Sequence, residues 1–333
     1  MKMKLQKLFV AMVVATMLSC EGSTAVAESI NEESASVSFS PVINPVIPDE
    51  MEFAGQTISF DRDDMYERMD RELTSMIYTH GSTLLLIKRA NKYFPIMAPI
   101  LKKHGVPMDF LYLACIESTL DIRAYSPAKA AGIWQFIPST AKEFGLEIRD
   151  NKTPKGRSDG ACVDERYHIE KETDAACRFF KKAYAKYGNW ETVMASYNAG
   201  QAGISRRLES QQVKSSFDLH LVTETSRYVF RIMAAKLIFE NPQKYGFHIS
   251  RDQLYYPAEY KVVKVSGAID NWATWAKNQG ITYAQLREHN PWIRGDKMQN
   301  QSGKVYEIKV PIKDSVHRST QKKPVYNENW VVD

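Results

Sequence analysis

Phe110-Leu111-Tyr112-Leu113-Ala114-Cys115-Ile116-Glu117-Ser118 is the stretch on which the reading of this chain turns. It is a mostly apolar run that ends by delivering one carboxylate. Gly105 stops the segment before it and Pro107 suits a helix start, so the spacing predicts a buried helix over Pro107 to Ser118. A carboxylate on such a segment is costly to keep ionised. Its pKa should rise, leaving Glu117 able to hold a proton near neutral pH, as a general acid must. A lone Glu near a helix end is more often simply solvated or paired with a base, so the assignment depends on what surrounds it.

Working outward, apolar residues recur at helical spacing on both sides. Met65, Met69, Leu73 and Met76 mark a helix from about Asp61, and further helices are predicted at Ser82 to Tyr93 and Pro95 to His104. Beyond the central run, helices are expected at Ser139 to Phe144, Ile169 to Tyr187, Trp190 to Tyr197 and Thr223 to Glu240. Asn151 to Asp164, rich in Gly, Pro, Lys and Asp, reads as a loop. With no convincing alternating run between Asp61 and Glu240, residues 61–245 are expected to form one mainly α domain. Residues 28–60 are polar and broken by Pro41, Pro45 and Pro48, and read as a flexible linker.

The character changes near residue 258. Tyr260 to Val265 reads as a strand, Asn271 to Asn278 and Thr282 to Asn290 as helices, and Lys304 to Val310 as a closing strand. Thr282 and Gln285 have the spacing of a capping box. Residues 258–313 are thus a small α+β module of strand-helix-helix-strand order, and the polar residues 314–333 read as a loosely held tail.

Three further segments stand near Glu117-Ser118 in sequence order: Ser126-Pro127-Ala128, Gly132-Ile133-Trp134-Gln135-Phe136 and Ser196-Tyr197-Asn198-Ala199-Gly200. Trp134 and Tyr197 offer flat apolar faces and Gln135 and Asn198 offer amides, the kind of wall that grips sugars. Gly132 permits close backbone approach to a ligand. In order and distance these segments resemble the soluble-lytic-transglycosylase domain, a lysozyme-like family that cuts peptidoglycan. Ile133-Trp134 and Ser196 are small departures from that family's pattern. The strand-helix-helix-strand module resembles the lysin motif, which binds N-acetylglucosamine-containing glycans, with its usual Gly-Asp turn replaced by Ser266-Gly267-Ala268-Ile269-Asp270.

The resemblance implies a lysozyme-like fold and a single acid/base, Glu117, acting on the bond between N-acetylmuramic acid and N-acetylglucosamine. It implies substrate contacts from Ser118, Ser126, Gln135, Tyr197, Asn198 and Tyr228, with Glu224 as a supporting group. Val163-Asp164-Glu165-Arg166 also matches the family, where it looks architectural. Asp121, four residues after Glu117, receives no role, although glycosidases ordinarily use two carboxylates. Two other functions fit the same residues: a goose-type lysozyme-like hydrolase in which water attacks, and an envelope protein that binds glycan without cutting it.

A formal net charge of +5 from 44 basic and 39 acidic residues is too mild for a nucleic-acid partner and suits an anionic polymer such as cell wall, and glycan strands are the partner that the resemblance implies. Met1 to Lys7 is basic and Leu8 to Leu18 apolar but too short to span a bilayer, which reads as an export signal. Met17-Leu18-Ser19-Cys20 and Ala25-Val26-Ala27 compete as processing sites, giving a signal of residues 1–19 with Cys20 lipid-anchored, or of residues 1–27. For an exported chain, a Cys162–Cys177 disulfide is expected, worth about 3 kcal/mol. Cys115 reads as a buried thiol. No Cys/His cluster has zinc-ligand spacing, and neither metal nor cofactor is expected.

Overall fold

The computed structural model describes residues 44–152, 158–318 and 324–332. The export signal with Cys20, and residues 28–43 of the segment read as a linker, lie outside the described residues. Among the described residues no helix is long and apolar enough to cross a membrane.

Where the end of a tether was expected, the chain forms a hairpin of β1 (Glu50–Phe53) and β2 (Gln56–Ser59), paired antiparallel. Ala54 and Gly55 make the turn at φ 51° and 80°, the left-handed pairing that matches the twist of two short strands. Met51, Phe53 and Ile58 point into the helical core. Ala54 N donates to Asp109 Oδ2 at 3.1 Å and ties the hairpin to the turn before the central helix.

Helix α1 (Asp63–Tyr78) buries Met65, Met69 and Leu73, as its spacing predicts. Helix α2 (His80–His104) is continuous where two helices were expected, with Pro95 and Pro99 inside it. An interior proline costs about 3 kcal/mol. The buried row Leu86, Ala90, Phe94, Met97 and Leu101 runs through both prolines, and at about 2 kcal/mol per large side chain it outweighs that loss. After α3 (Phe110–Ser118) and α4 (Pro138–Glu143), the predicted loop is instead an irregular antiparallel pair, β3 (Ile148–Lys152) with β4 (Ser158–Asp164). Then come α5 (Ile169–Tyr187), α6 (Trp190–Ala199), α7 (Gln201–Ser210) and α8 (Thr223–Glu240). Helix α8 is the axis of the domain and packs against α1, α3 and α6. Buried Glu72 of α1 clamps it by accepting from Arg227 at 2.7 and 2.9 Å.

The C-terminal module has the expected order: β5 (Tyr260–Val265), α9 (Trp272–Asn278), α10 (Tyr283–His289) and β6 (Tyr306–Pro311), with β5 and β6 antiparallel. The capping box is present, Gln285 N donating to Thr282 Oγ1 at 3.1 Å and Thr282 N to Gln285 Oε1 at 2.9 Å. Its core of Trp272, Leu286, Trp292, Ile293, Tyr306 and Ile308 also takes in Ala131, Cys162, Val163 and Tyr167 of the helical domain.

Two further expectations are corrected. The tail after Pro311 returns to the core: Trp330 is 1% exposed, and its indole N–H donates to Phe239 O at 2.8 Å. One buried aromatic outweighs the polar composition around it. Cys162 and Cys177 form no disulfide; both are free and buried in different clusters, Cys162 beneath the module and Cys177 in the helical core. Burial raises the pKa of Cys115 and of Cys162, and pushes that of Cys177 up to about 12, so all three remain unreactive thiols.

Candidate active site

Glu117 stands in the last turn of α3, half-buried where α3 packs on α8. Tyr228 of α8, itself only 2% exposed, donates its hydroxyl to Glu117 Oε1. The helix ends abruptly because Thr119 and Leu120 are both left-handed, at φ 53°. Such residues pay about 1–2 kcal/mol each for that geometry. Arg89 helps to hold the bend by donating to Thr119 O at 2.9 Å. The chain therefore turns away before another helical turn could bring Asp121 beside Glu117. Asp121 instead accepts from Arg123 N at 2.9 Å and lines a different groove, with Lys88 and Arg89.

Burial raises Glu117 from the ordinary 4.5 to about 7. The Tyr228 hydrogen bond pulls the other way, and the charge of Glu224 adds a further upward push. Burial also keeps Tyr228 and Tyr197 well above ordinary phenols, so both stay protonated donors. The site thus offers a carboxyl that carries its proton near neutrality and a phenol placed to stabilise the carboxylate once the proton leaves.

Glu117 opens onto a groove of about 820 Å³ that Ser126, Gln135, Tyr197 and Asn198 also line. Their loops are held by backbone and side-chain bonds. Ser126 Oγ accepts from Ala130 N at 3.1 Å, closing the turn that carries it. Gln135 sits in the left-handed region, φ 51°, and its amide donates to Gly132 O at 2.8 Å. Tyr197 donates to Trp134 O at 2.6 Å, and Asn198 Oδ1 accepts from Thr225 Oγ1 at 3.0 Å.

Other sequence candidates stand elsewhere. Ser118 is not on the groove wall and its hydroxyl turns back to Ala114 O at 3.4 Å. Tyr228 lies behind Glu117 rather than on the groove surface. Glu224, with its side chain 64% exposed, pairs with Arg231 at 2.8 Å and reaches Glu117 only through its charge. Trp134 presents no face to a sugar: it is 0% exposed, with its indole N–H donating to Thr173 Oγ1 at 2.9 Å. The close approach at Gly132 is to protein and not to a ligand, since a Cβ there would lie 1.7 Å from Arg166 O and 2.4 Å from Glu172 Oε2.

The groove also uses residues that the sequence reading missed, among them Ile137, Thr140 and Phe144 around α4, and Lys182 paired with Glu143 at 2.8 Å. Beneath it lies Glu172, fully buried, accepting from Ile133 N at 3.3 Å and Trp134 N at 3.2 Å. A signal for Glu172 existed. It occupies a core position in the buried row Ile169, Thr173, Ala176 and Phe180 of α5, where a carboxylate needs a reason. Among the described residues no group of His, Cys, Asp or Glu side chains is placed to hold a metal ion.

Residues 95–219 match the family described as Transglycosylase SLT domain, and residues 261–314 the one described as Soluble lytic transglycosylase C-terminal LysM-like domain. The chain therefore carries an SLT domain followed by a LysM-like module, and Glu117, Ser126, Gln135, Tyr197 and Asn198 all fall within the SLT match. Over 259 residues it is 29% identical to the Membrane-bound lytic murein transglycosylase D of Escherichia coli strain K12, and equally to that of Escherichia coli O6:H1. The match covers 76% of this chain and 53% of those proteins, so the chain spans about half the length of the curated relatives it matches. Among solved structures, the 70 kDa soluble lytic transglycosylase SLT70 of Escherichia coli is 16% identical with a TM-score of 0.36, over 54% of this chain and 31% of that one.

Proposed function

We propose that this chain is a peptidoglycan lytic transglycosylase of the bacterial cell envelope, exported from the cytoplasm, with Cys20 as the residue that would carry a lipid anchor. The observation that carries the reading is Glu117, one carboxyl raised to about 7 that opens onto a groove within an SLT domain. The relatives named above as lytic murein transglycosylases support the substrate class.

In this mechanism Glu117 gives its proton to the oxygen joining N-acetylmuramic acid to N-acetylglucosamine. The 2-acetamido group of the muramic sugar stabilises the cationic centre as that bond breaks. Glu117, now a carboxylate held by the Tyr228 hydroxyl, takes the proton of that sugar's 6-hydroxyl, whose oxygen closes onto the anomeric carbon. The product is a 1,6-anhydro end, and no water is consumed. Ser126, Gln135, Tyr197 and Asn198 hold the glycan along the groove. A single-carboxyl route suits this site because the other carboxyl on the groove, Glu143, is exposed and committed to Lys182.

Mass spectrometry of peptidoglycan digested with the full chain tests the reading. Anhydro-muramic ends are expected. Reducing ends would assign the attack to water, as in a goose-type hydrolase, and no released fragments would leave a glycan-binding protein that does not cut.

A further inference from the structure

The C-terminal module is bonded to the strand that supports the groove. Trp292 O accepts from Asp164 N at 2.9 Å and Arg294 N donates to Cys162 O at 3.0 Å, so residues 292–294 pair with the end of β4 around a bridge of Val163 with Ile293. Both of those side chains are fully buried. From the next residue of β4, the Asp164 carboxylate grips the Arg166 guanidinium at 3.0 and 2.8 Å. The same guanidinium donates to Lys129 O at 2.6 Å and to Phe136 O at 3.1 Å. Those carbonyls bracket the loop that carries Gly132 and Gln135, and the carbonyl of Arg166 fills the space beneath Gly132. On the surface, Lys304 of the module reaches Glu147 at 2.5 Å and Glu165 at 3.3 Å.

A guanidinium is expensive to bury, and Arg166 is only 5% exposed. Its planar fork offsets that cost by bonding a carboxylate and two loop carbonyls at once, a geometry that a lysine could not reproduce. Glu172 supports the middle of the loop from within the helical domain. The support at its two ends, Lys129 O and Phe136 O, runs through Arg166 to Asp164, and from the backbone of Asp164 into the module.

We propose that the C-terminal module is a positioning part of the groove: through Asp164 and Arg166 it holds the 129–136 loop, and with it Gln135, in place across from Glu117. The inference rests on the groove being the catalytic site proposed above, and it needs no glycan bound by the module itself.

The test combines amide hydrogen exchange with the kinetics of wall-fragment release, on the full chain. The probes are Ala131 N and Phe136 N, which bond each other's carbonyls across the loop at 3.1 Å each. In Ile293→Ala these amides should exchange about tenfold faster, and KM should rise severalfold while kcat and the alkaline pH limb set by Glu117 hold. Arg166→Gln should do the same more strongly. A lower Tm with loop exchange and KM at parental values would make the module a stabiliser only and overturn the proposal. Should Ile293→Ala fail to fold, the surface variant Lys304→Met should still speed loop exchange about twofold; unchanged exchange would refute the coupling. A parent chain that releases no fragments would remove the proposed function, yet the exchange measurement would still decide whether module and loop are coupled.

Discussion

Glu117 and Glu172 are both carboxyls that burial has pushed upward, one sharing the groove with Gln135 and the other bonded to the backbone just before it. Glu117 opens onto the groove and is touched by one phenol. Glu172 is sealed beneath, 0% exposed, with both oxygens turned to the backbone amides of Ile133 and Trp134. The difference shows that a raised pKa does not by itself mark a catalytic acid. Access to the groove separates the two, and the sealed carboxyl acts as a strut for the turn that shapes the groove.

The largest effect should separate the two. Glu117→Gln is expected to lose at least about a thousandfold in fragment release, the span of a removed general acid, while remaining folded. Its stability should even improve above neutrality. The folded pKa of about 7 lies above the ordinary 4.5, so ionisation opposes folding, and the penalty sets in as pH rises from 4.5 towards 7. Gln removes that penalty, and thermal melting at pH 8 should find the variant above the parent. Glu172→Ala should behave in the opposite sense, losing about 3 kcal/mol of stability because two buried amides lose their acceptor. Urea unfolding checks this. Glu172→Gln, which keeps one acceptor of the two, should recover only part of the loss; a Glu172→Gln as inactive as Glu117→Gln would break the contrast.

Two smaller effects sharpen the picture of Glu117. Tyr228→Phe removes the bond that favours the ionised carboxyl, so the alkaline limb of the rate profile should move up by about one unit. A downward move would mean that the phenol serves the protonated form instead. Glu224→Gln should move the same limb down by a few tenths of a unit at low salt, and hardly at all at high salt, because the charge acts through solvent.

Much of this was legible where one periodicity dominates. Helices α5 and α8 have the bounds read from their apolar spacing, and the Thr282–Gln285 box fixed the start of α10. The groove residues Glu117, Ser126, Gln135, Tyr197 and Asn198 were legible through their order along the chain. What escaped depends on contacts distant in sequence. The strands of the 50–59 hairpin are four residues long, too short for alternation to stand out, and Met51, Phe53 and Ile58 are held by a core built mostly from helices distant in sequence. Trp134 and Gly132 carry the right chemistry for a sugar wall, but only the path of α5 decides that they face Thr173 and Glu172 instead. Cys162 and Cys177 sit close in sequence and in different cores, a separation that spacing could not reveal.

The most direct test of Glu117 as the groove's acid is its own titration, followed by the carboxyl carbon signal in the full chain with Glu117→Gln to assign the resonance. A midpoint near 7 is expected, moving upward in Tyr228→Phe. A midpoint near the ordinary 4.5, unmoved by the loss of the phenol, would contradict the assignment, since such a carboxyl would have given up its proton before neutral pH.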